Sequence, residues 1–241
     1  MNGKRFILGD IHGCDEHLRR MLTILRGRMD PARDRLICLG DYIDRGDGSR
    51  DVVEQLIEFS REYDCVFLKG NHDAAFIPWL EGKGDLLMGG EYTIQSYEVQ
   101  GSVRVPDEHV RFFRELRTYH EEDDFICVHA GLDPDQGPVE EQSESVLLNI
   151  RAKFYNSPKR QPKLILFGHT PDLNHEDRYL PFDRVDGANI LGLDTGAVFY
   201  GRLTCFQWPD QTFIQIYFRR DEWHVKEFHR REIGKESRRI R

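Results

Sequence analysis

The chain has 241 residues, of which 39% are hydrophobic, and this size suits a single globular domain with a substantial core. Its formal net charge of −8 at neutral pH argues against a nucleic-acid-binding surface, because nucleic-acid phosphates attract basic proteins. No apolar run approaches the roughly 20 residues that a membrane span needs, so no membrane partner is expected.

The cysteines carry no pairing motif. Five of them are scattered along the chain and none forms a Cys-x-x-Cys pair, so neither a structural zinc site nor a disulfide framework is predicted. Cys38, Cys65 and Cys127 stand in apolar runs, where we expect buried thiols. Residues 6–8 are typical of a first strand and not of a signal peptide. These features predict a protein of the reducing cytoplasm.

The first third of the chain alternates between short apolar runs and amphipathic segments. Residues 4–8, 36–39 and 65–68 are predicted strands, because each is a short apolar run bounded by charge or glycine. Two helices are predicted between them, with apolar residues at helical spacing: Leu18, Met21, Leu22 and Leu25, then Val52, Val53, Leu56 and Ile57. This order predicts a parallel sheet with right-handed crossovers.

Beyond residue 73 the pattern changes twice. Residues 74–123 are predicted to be mainly helical, with a break at Gly89 and Gly90 and one helix opened by Pro106. Further predicted elements are strands at 125–128 and 164–167, a helix at about 145–154, an apolar run at 190–193, and antiparallel strands at 203–208, 212–218 and 223–228.

The charge is distributed unevenly between the body of the chain and its end. Residues 229–241 hold six Lys/Arg against two Glu, a net of +4, which leaves −12 on residues 1–228. We therefore predict a single domain over residues 1–228 and a basic tail over 229–241. A solvated tail and a docking arm for an acidic partner both agree with this composition.

Five predicted strands end in a short glycine-containing turn that carries Asp, Asn or His. The residues placed there are Asp10, His12, Asp41, Asn71, His129 and His169. Oxygen and nitrogen donors of this kind suit Mn, Fe or Zn, and six are more than one tetrahedral ion needs. A carboxylate such as Asp41 can bridge two ions about 3.5–4 Å apart. The turns therefore predict a two-metal site at the carboxyl ends of the strands.

The same turns resemble a known family. Residues 9–13, 40–46 and 70–73 resemble, in order and spacing, the signature blocks of the phosphoprotein phosphatase family of metallophosphoesterases. His129-Ala130-Gly131 and Gly168-His169-Thr170 stand where that family has its later histidines, and the segments around Thr93 and Asp194 resemble its bacterial serine/threonine protein phosphatases. The resemblance spans about residues 6–206. It implies an α/β (α+β) fold, a β-sandwich of two mixed sheets flanked by helices.

The resemblance also implies roles for individual residues. The implied metal ligands are Asp10 and His12 for one ion, Asn71, His129 and His169 for the other, and Asp41 as the bridge. His72 would be the general acid with Asp44 orienting it, and Arg45 and Arg151 would bind phosphate. The implied cofactors are two divalent ions, Mn²⁺ first and Fe or Zn as alternatives. A hydroxide bridging the two ions would attack phosphorus directly.

The predicted function is a metal-dependent phosphomonoesterase acting on phosphoserine and phosphothreonine. Asp73 stands where protein phosphatases of the family have Glu, and it matches the symmetrical dinucleoside tetraphosphate hydrolases. Those hydrolases typically lack the acid that this chain retains as Asp44. The symmetrical dinucleoside tetraphosphate hydrolase therefore stays as an alternative. A catalytically silent scaffold is a further alternative, although neither the metal-ligand positions nor His72 has been lost.

Two other features bear on the chemistry. Cys14 and Arg20 have the Cys-x5-Arg spacing of thiol phosphatases, but they fall at the start of an amphipathic helix, so chance explains the spacing. The loops expected to rim the site are acidic: Asp133, Asp135, Glu140, Glu141 and Glu144 in one, and Asp172, Glu176, Asp177, Asp183 and Asp186 in the other. Such a rim would repel polyanions and favour a phosphoprotein or small phosphoester as partner.

Overall fold

A computed structural model describes residues 3–171, 173–174 and 179–233 of the chain. Thirteen strands lie in these residues, arranged as two large sheets and one hairpin. The strands are β1 (Arg5–Leu8), β2 (Arg35–Cys38), β3 (Asp64–Phe67), β4 (Glu98–Val99), β5 (Ser102–Val103), β6 (Tyr119–Glu121), β7 (Phe125–Val128), β8 (Leu164–Phe167), β9 (Phe182–Asp183), β10 (Ile190–Gly192), β11 (Arg202–Trp208), β12 (Thr212–Arg219) and β13 (Glu222–His229).

Helices connect and cover the sheets. They are α1 (Asp15–Arg26), α2 (Ser49–Ser60), α3 (Asn71–Leu80), α4 (Gly90–Ser96), α5 (Asp107–Arg114), α6 (Glu144–Asn149), α7 (Ala152–Tyr155) and α8 (Ala197–Tyr200). The predicted apolar faces of α1 and α2 are buried, as their spacing requires. None of the helices in the described residues is long and apolar enough to cross a membrane.

Both large sheets are mixed. The first has the order β13-β12-β11-β1-β2-β3, in which β1, β2 and β3 are parallel and the other neighbours are antiparallel. The second has the order β6-β7-β8-β10-β9, with a parallel centre and antiparallel edge strands. The prediction of two mixed sheets flanked by helices is confirmed.

Alternation along the strands separates the layers of the core. On β1, Ile7 joins a cluster that also contains Phe125 and Leu166 of the second sheet, so this cluster lies between the two sheets. Phe6 and Leu8 point to the opposite face, where they pack with the apolar residues of α1 and α2. A third cluster covers the outer face of the second sheet and includes Phe154 of α7.

Two predictions of local structure need correction. Residues 74–123 contain most of α3 and the whole of α4 and α5, as predicted, but β4 and β5 also form a hairpin there and β6 begins at Tyr119. Gln100 and Gly101, at the tip of the hairpin, both have positive φ, which suits a two-residue turn. The helix predicted at about 145–154 is interrupted, since Ile150 is extended between α6 and α7. This interruption places Arg151 outside both helices.

The remaining predictions concern the cysteines and the end of the chain. All five cysteines are free thiols, and Cys65, predicted to be buried, is only partly covered. His229 still belongs to β13, and Arg230 forms ion pairs with Asp183 and Asp186, each at 3.2 Å. The division at residue 229 stays a prediction, because residues 234–241 lie outside the described part of the chain.

Candidate functional site

The predicted turns meet at one place, where strands of both large sheets end. Asp41, which follows β2, lies between histidines brought from two other strands. Its Oδ2 is 3.3 Å from Nε2 of His12, and its Oδ1 is 3.5 Å from Nε2 of His129. All three residues are buried. The structure therefore places Asp41 centrally, as a bridging carboxylate would have to be.

Asn71 and His169 complete one side of this cluster. Asn71 Oδ1 lies 3.1 Å from His129 Nε2 and 2.9 Å from His169 Nδ1. Two groups of possible metal-binding atoms result, each with its atoms within 4.8 Å of one another. One consists of His12, Asp41 and His72, and the other of Asp41, His129 and His169. Asp41 is common to both groups.

Asp10 lies at the edge of the cluster. Its Oδ2 accepts a hydrogen bond of 2.9 Å from the backbone N–H of His169. Its Oδ1 is buried without a hydrogen-bond partner among the described residues, and so is Nε2 of His169. Buried polar atoms are rarely left unpaired, because the lost hydration is costly. These residues and their unpaired atoms fit a pair of divalent cations.

The electrostatics of the cluster agree with a cation site. Burial, together with Asp194 and Asp41, raises the pKa of Asp10 well above its usual range. Burial also acts on Asp41, but its histidine neighbours, His129 foremost, hold its pKa well below the usual range. Burial and His129 lower the pKa of His169 to about 3, which keeps the imidazole neutral as a metal ligand must be.

The turns are held in an uncommon backbone conformation. Positive φ values occur at His12 (48°), Asp41 (54°), Asp44 (70°), Arg45 (72°) and His169 (66°). For residues other than glycine the left-handed region costs roughly 1–2 kcal/mol each. Such strain persists only where the surrounding structure enforces it, and it concentrates at functional sites.

Asp73 helps to hold these turns in their backbone conformation. Its carboxylate accepts backbone hydrogen bonds from Gly70 at 2.8 Å, Asp41 at 2.7 Å and Tyr42 at 3.1 Å. It thereby caps the N-terminus of α3 and ties the turn after β2 to the turn after β3. Asp73, which the sequence suggested as a marker of substrate class, is buried behind the donors and has a structural role.

His72 is oriented by a carboxylate. Its Nδ1 lies 2.7 Å from Oδ2 of Asp44, and both side chains are buried. The hydroxyl of Thr93 donates to Oδ1 of Asp44 at 2.5 Å and accepts from the backbone N–H of Asp44 at 2.9 Å. Ser49 Oγ accepts from the same N–H at 3.1 Å. Sequence reasoning assigned no role to Thr93 or Ser49, although Thr93 belongs to one of the motifs that carried the resemblance.

The two arginines lie on different sides of the cluster. Nη1 of Arg45 is 2.5 Å from Nε2 of His12, and Nη2 is 2.8 Å from Nε2 of His72. Arg151 is exposed, and its Nη1 donates to the hydroxyl of Thr170, the residue after His169, at 3.2 Å. Both guanidinium groups therefore border the cluster, and their role in binding phosphate stays a prediction.

Gly89 holds Arg45 in place and provides a test of that contact. Its φ is +93°, its carbonyl accepts the N–H of Arg45 at 3.0 Å, and an added Cβ would lie 2.7 Å from that nitrogen. Gly89→Ala must therefore displace Arg45. We expect kcat/KM for phosphoesters to fall about tenfold to hundredfold, since small misplacements of binding groups have such effects.

Gly82→Ala is the matched control. Gly82 also has a positive φ, of +70°, but its Cβ would meet no atom within 4 Å. Both variants should lose stability from the backbone strain, Gly89→Ala more so because of its close contacts, whereas only Gly89→Ala should lose activity. Equal losses of activity in the two variants would show that Gly89 does not act through Arg45.

The thiol-phosphatase alternative is not supported. Burial and nearby carboxylates raise the pKa of Cys14 to about 12, so its thiol is a poor nucleophile at neutral pH. Arg20 lies on the surface of α1, where it pairs with Glu16 and stacks over Trp223 at 4.5 Å. The spacing of Cys14 and Arg20 reflects the helix and not an anion-binding loop.

Curated proteins that are similar to this chain include two bis(5'-nucleosyl)-tetraphosphatases. The asymmetrical bis(5'-nucleosyl)-tetraphosphatase PrpE of Bacillus mycoides is 27% identical, with 87% of this chain and 92% of that protein covered. The symmetrical bis(5'-nucleosyl)-tetraphosphatase of Nitrosomonas europaea is 29% identical, with 72% of this chain and 63% of that protein covered. These relatives differ from the serine/threonine protein phosphatases that the motifs suggested.

Solved structures share the fold. A protein provisionally named a diadenosine tetraphosphatase has a TM-score of 0.71 at 22% identity, covering 91% of this chain and 96% of that one. A serine/threonine phosphatase of Saccharomyces cerevisiae has a TM-score of 0.52 at 12% identity, covering 95% and 80%. The sequence model of the calcineurin-like phosphoesterases matches residues 4–201. With its two mixed sheets and its cluster of Asp, Asn and His donors, the chain belongs to the calcineurin-like phosphoesterase family.

Proposed function

We propose that this phosphoesterase hydrolyses dinucleoside tetraphosphates and cleaves them asymmetrically. The observation that carries the proposal is the similarity to asymmetrical tetraphosphatases along nearly their whole length, 92% in the case of the Bacillus mycoides enzyme. The symmetrical relative is covered over only 63% of its length. The proposal replaces the phosphoserine and phosphothreonine hydrolysis predicted from the sequence as the main function. It also differs from the tetraphosphatase alternative considered there, which cleaves symmetrically.

The placement of the arginines supports a substrate with several phosphates. Arg45 contacts His12 and His72 on one side of the donor cluster, while Arg151 lies beside Thr170 on another. A chain of four linked phosphates would offer several anionic groups to the two guanidinium groups, each of which presents a planar fork for phosphate oxygens.

The acidic loops do not oppose such a substrate as strongly as their sequence suggested. Asp133 pairs with Lys153 at 2.7 Å, Asp135 pairs with Lys159 at 2.6 Å, and Glu144 pairs with Lys69 at 2.9 Å. In the second loop, Arg230 pairs with Asp183 and Asp186. Asp172, Glu176 and Asp177 lie outside the described residues. Paired charges repel a polyanion less than isolated ones, so this argument for phosphopeptides is weakened.

We assign the six donors to two divalent cations, with Mn²⁺ as the first choice. Asp10 and His12 would hold one ion, Asn71, His129 and His169 the other, and Asp41 both. When bound, such ions polarise phosphoryl oxygens and lower the pKa of water towards 7. The unpaired Asp10 Oδ1 and His169 Nε2 support this assignment, because each is a buried atom that lacks a partner among the described residues.

The protein side chains carry the rest of the chemistry. Arg45 and Arg151 would bind and orient the phosphates and stabilise their charge as it shifts during displacement. His72 would protonate the oxygen of the leaving group, with its ring held by Asp44 and Asp44 held by Thr93. Because both His72 and Asp44 are buried, their geometry is set before substrate binds.

The acid pair favours a second activity, the hydrolysis of phosphoserine and phosphothreonine. An alkoxide is a much poorer leaving group than a nucleotide phosphate and therefore depends more on a proton from an acid. The pairing of Asp44 with His72 at 2.7 Å would orient such an acid. This observation supports phosphomonoester hydrolysis beside the tetraphosphatase activity.

Product analysis tests the main proposal. With diadenosine tetraphosphate as substrate and Mn²⁺ present, we expect AMP and ATP in equal amounts at early times, separated by anion-exchange chromatography. Formation of ADP alone would show symmetrical cleavage and would contradict the proposal in its asymmetrical form. Faster hydrolysis of phosphothreonine peptides than of diadenosine tetraphosphate would restore the protein-phosphatase prediction as the main function.

A further inference from the structure

An exposed aromatic side chain stands beside the proposed phosphate-binding arginine. Phe199 has 54% of its surface exposed, and the centre of its ring lies 5.2 Å from Cζ of Arg45. A single exposed apolar residue needs no explanation by itself. Here, however, the ring adjoins a guanidinium group that also contacts His12 and His72 of the candidate site.

The surrounding structure fixes the backbone that carries this ring. Phe199 belongs to α8, a single turn bounded by Gly196 and Gly201, both in the left-handed region with φ of 71° and 64°. Ala197 is buried beneath the turn, and the ring of Tyr200 packs over Gly196 so closely that a Cβ there would lie 2.4 Å from it. Because this backbone is constrained, only the side-chain torsions of Phe199 have to be ordered when a ligand stacks on its ring.

Its surroundings match the two parts of a nucleotide. The guanidinium of Arg45 suits a phosphate, and the exposed ring surface beside it suits a planar base. An aromatic ring can stack with any nucleobase, because every base has a π-face. A phosphoserine or phosphothreonine side chain has no planar group to place there.

We propose that Phe199 is the platform on which one nucleobase of the dinucleotide stacks while the adjoining phosphates contact Arg45. This inference rests on the proposed function and names the contact through which the enzyme would recognise the nucleoside. Phe199 would determine specificity, whereas the reacting atoms would be served by the donor cluster, the arginines and His72.

Kinetics of Phe199→Ala test the platform. We expect kcat/KM for diadenosine tetraphosphate to fall about 10- to 100-fold, mainly through KM, since a base–aromatic stack typically contributes about 1–3 kcal/mol. The loss for phosphoserine, which has no ring, should be several times smaller. Phe199→Trp should retain the activity, because it keeps a stacking surface.

Phe218→Ala is the matched control. Phe218 lies on β12 and is 47% exposed, but it packs against Trp223 instead of the site. Its replacement should leave both activities at wild-type values. Equal losses of Phe199→Ala on both substrates would mean that Phe199 only supports Arg45, and no loss on the dinucleotide would likewise overturn the inference.

Calorimetry separates this inference from the proposed function. AMP and inorganic phosphate are titrated into the Mn²⁺-loaded full chain, with no turnover needed. Phe199→Ala should weaken AMP binding about tenfold or more and leave phosphate binding nearly unchanged. If the wild-type protein binds AMP through Phe199 but does not cleave the tetraphosphate, only the proposed function fails. If AMP binds no more weakly to Phe199→Ala, the platform is wrong whatever the enzyme cleaves.

Discussion

Hydrolysis is expected to stop when divalent cations are removed by exhaustive chelation and to return when Mn²⁺ is added. The reason is the donor cluster around Asp41, in which buried atoms of Asp10 and His169 lack partners among the described residues. Assays with p-nitrophenyl phosphate after readdition of Mn²⁺, Fe²⁺ or Zn²⁺ would also rank the metals. Full activity after chelation would eliminate the two-metal assignment.

A thiol reagent provides the chemical control. Cys38, Cys127 and Cys205 are buried, and burial raises the pKa of Cys14 and Cys65 to about 12. We therefore expect none of the five thiols to react readily with an alkylating reagent at neutral pH. Alkylation under native conditions should therefore change the activity little. Rapid inactivation by an alkylating reagent would instead indicate an essential cysteine.

Metal binding can also be measured without turnover. Mn²⁺ should raise the melting temperature of the wild-type protein, since a ligand at 100 times its Kd stabilises the folded state by about 2.7 kcal/mol. Asp41→Asn should lose most of this shift. Asp34→Asn is the control, because Asp34 is also buried but accepts hydrogen bonds from the backbone of Lys4 and Asp30, away from the site. Its own stability should fall while the shift caused by Mn²⁺ persists.

Replacing His72 should strongly lower the rate of hydrolysis, and the size of this loss should depend on the leaving group. A general acid contributes about 10²- to 10⁴-fold, so His72→Ala should lose about this much on phosphoserine. The loss on p-nitrophenyl phosphate should be far smaller, since nitrophenolate leaves without needing a proton. Asp44→Asn should show the same pattern more weakly, because Asp44 acts by orienting the His72 ring.

His109→Ala distinguishes this chemistry from damage to a buried histidine in general. His109 is buried and lies 3.0 Å from Glu54 and 2.9 Å from the hydroxyl of Tyr97, but it takes no part in the donor cluster. Its replacement should lower stability and reduce both activities by the same factor. If His72→Ala behaved in that way too, the role of general acid would have to be withdrawn.

The site was more predictable than much of the structure around it. Donors such as Asp41 and His129 follow strands directly, so a local pattern of apolar run, donor and glycine marks them. The parallel β1, β2 and β3 and the helices between them were predictable for the same reason, since their apolar periodicity is local and strong. Because this pattern is repeated along the chain, the turns together predicted one two-metal site.

The parts that were missed depend on short elements or distant contacts. The hairpin strands β4 and β5 have two residues each, too few to show a period, and only Gln100-Gly101 could have indicated the turn. Thr93 reaches Asp44 across 49 positions, so no local pattern reveals that hydrogen bond. The match of Asp73 to tetraphosphate hydrolases agrees with the relatives found. Its structural role was missed, because that role depends on three backbone N–H groups that only the fold brings together.

The origin of the donors has a mechanical consequence for the sandwich. Asp10, His12 and Asp41 extend from strands of the first sheet, whereas His129 and His169 extend from β7 and β8 of the second. A pair of cations coordinated by these residues would link the two sheets at one edge. Shearing of one sheet over the other would then require breaking coordination bonds as well as separating apolar side chains. The catalytic centre would thus be a structural cross-link of the fold that builds it.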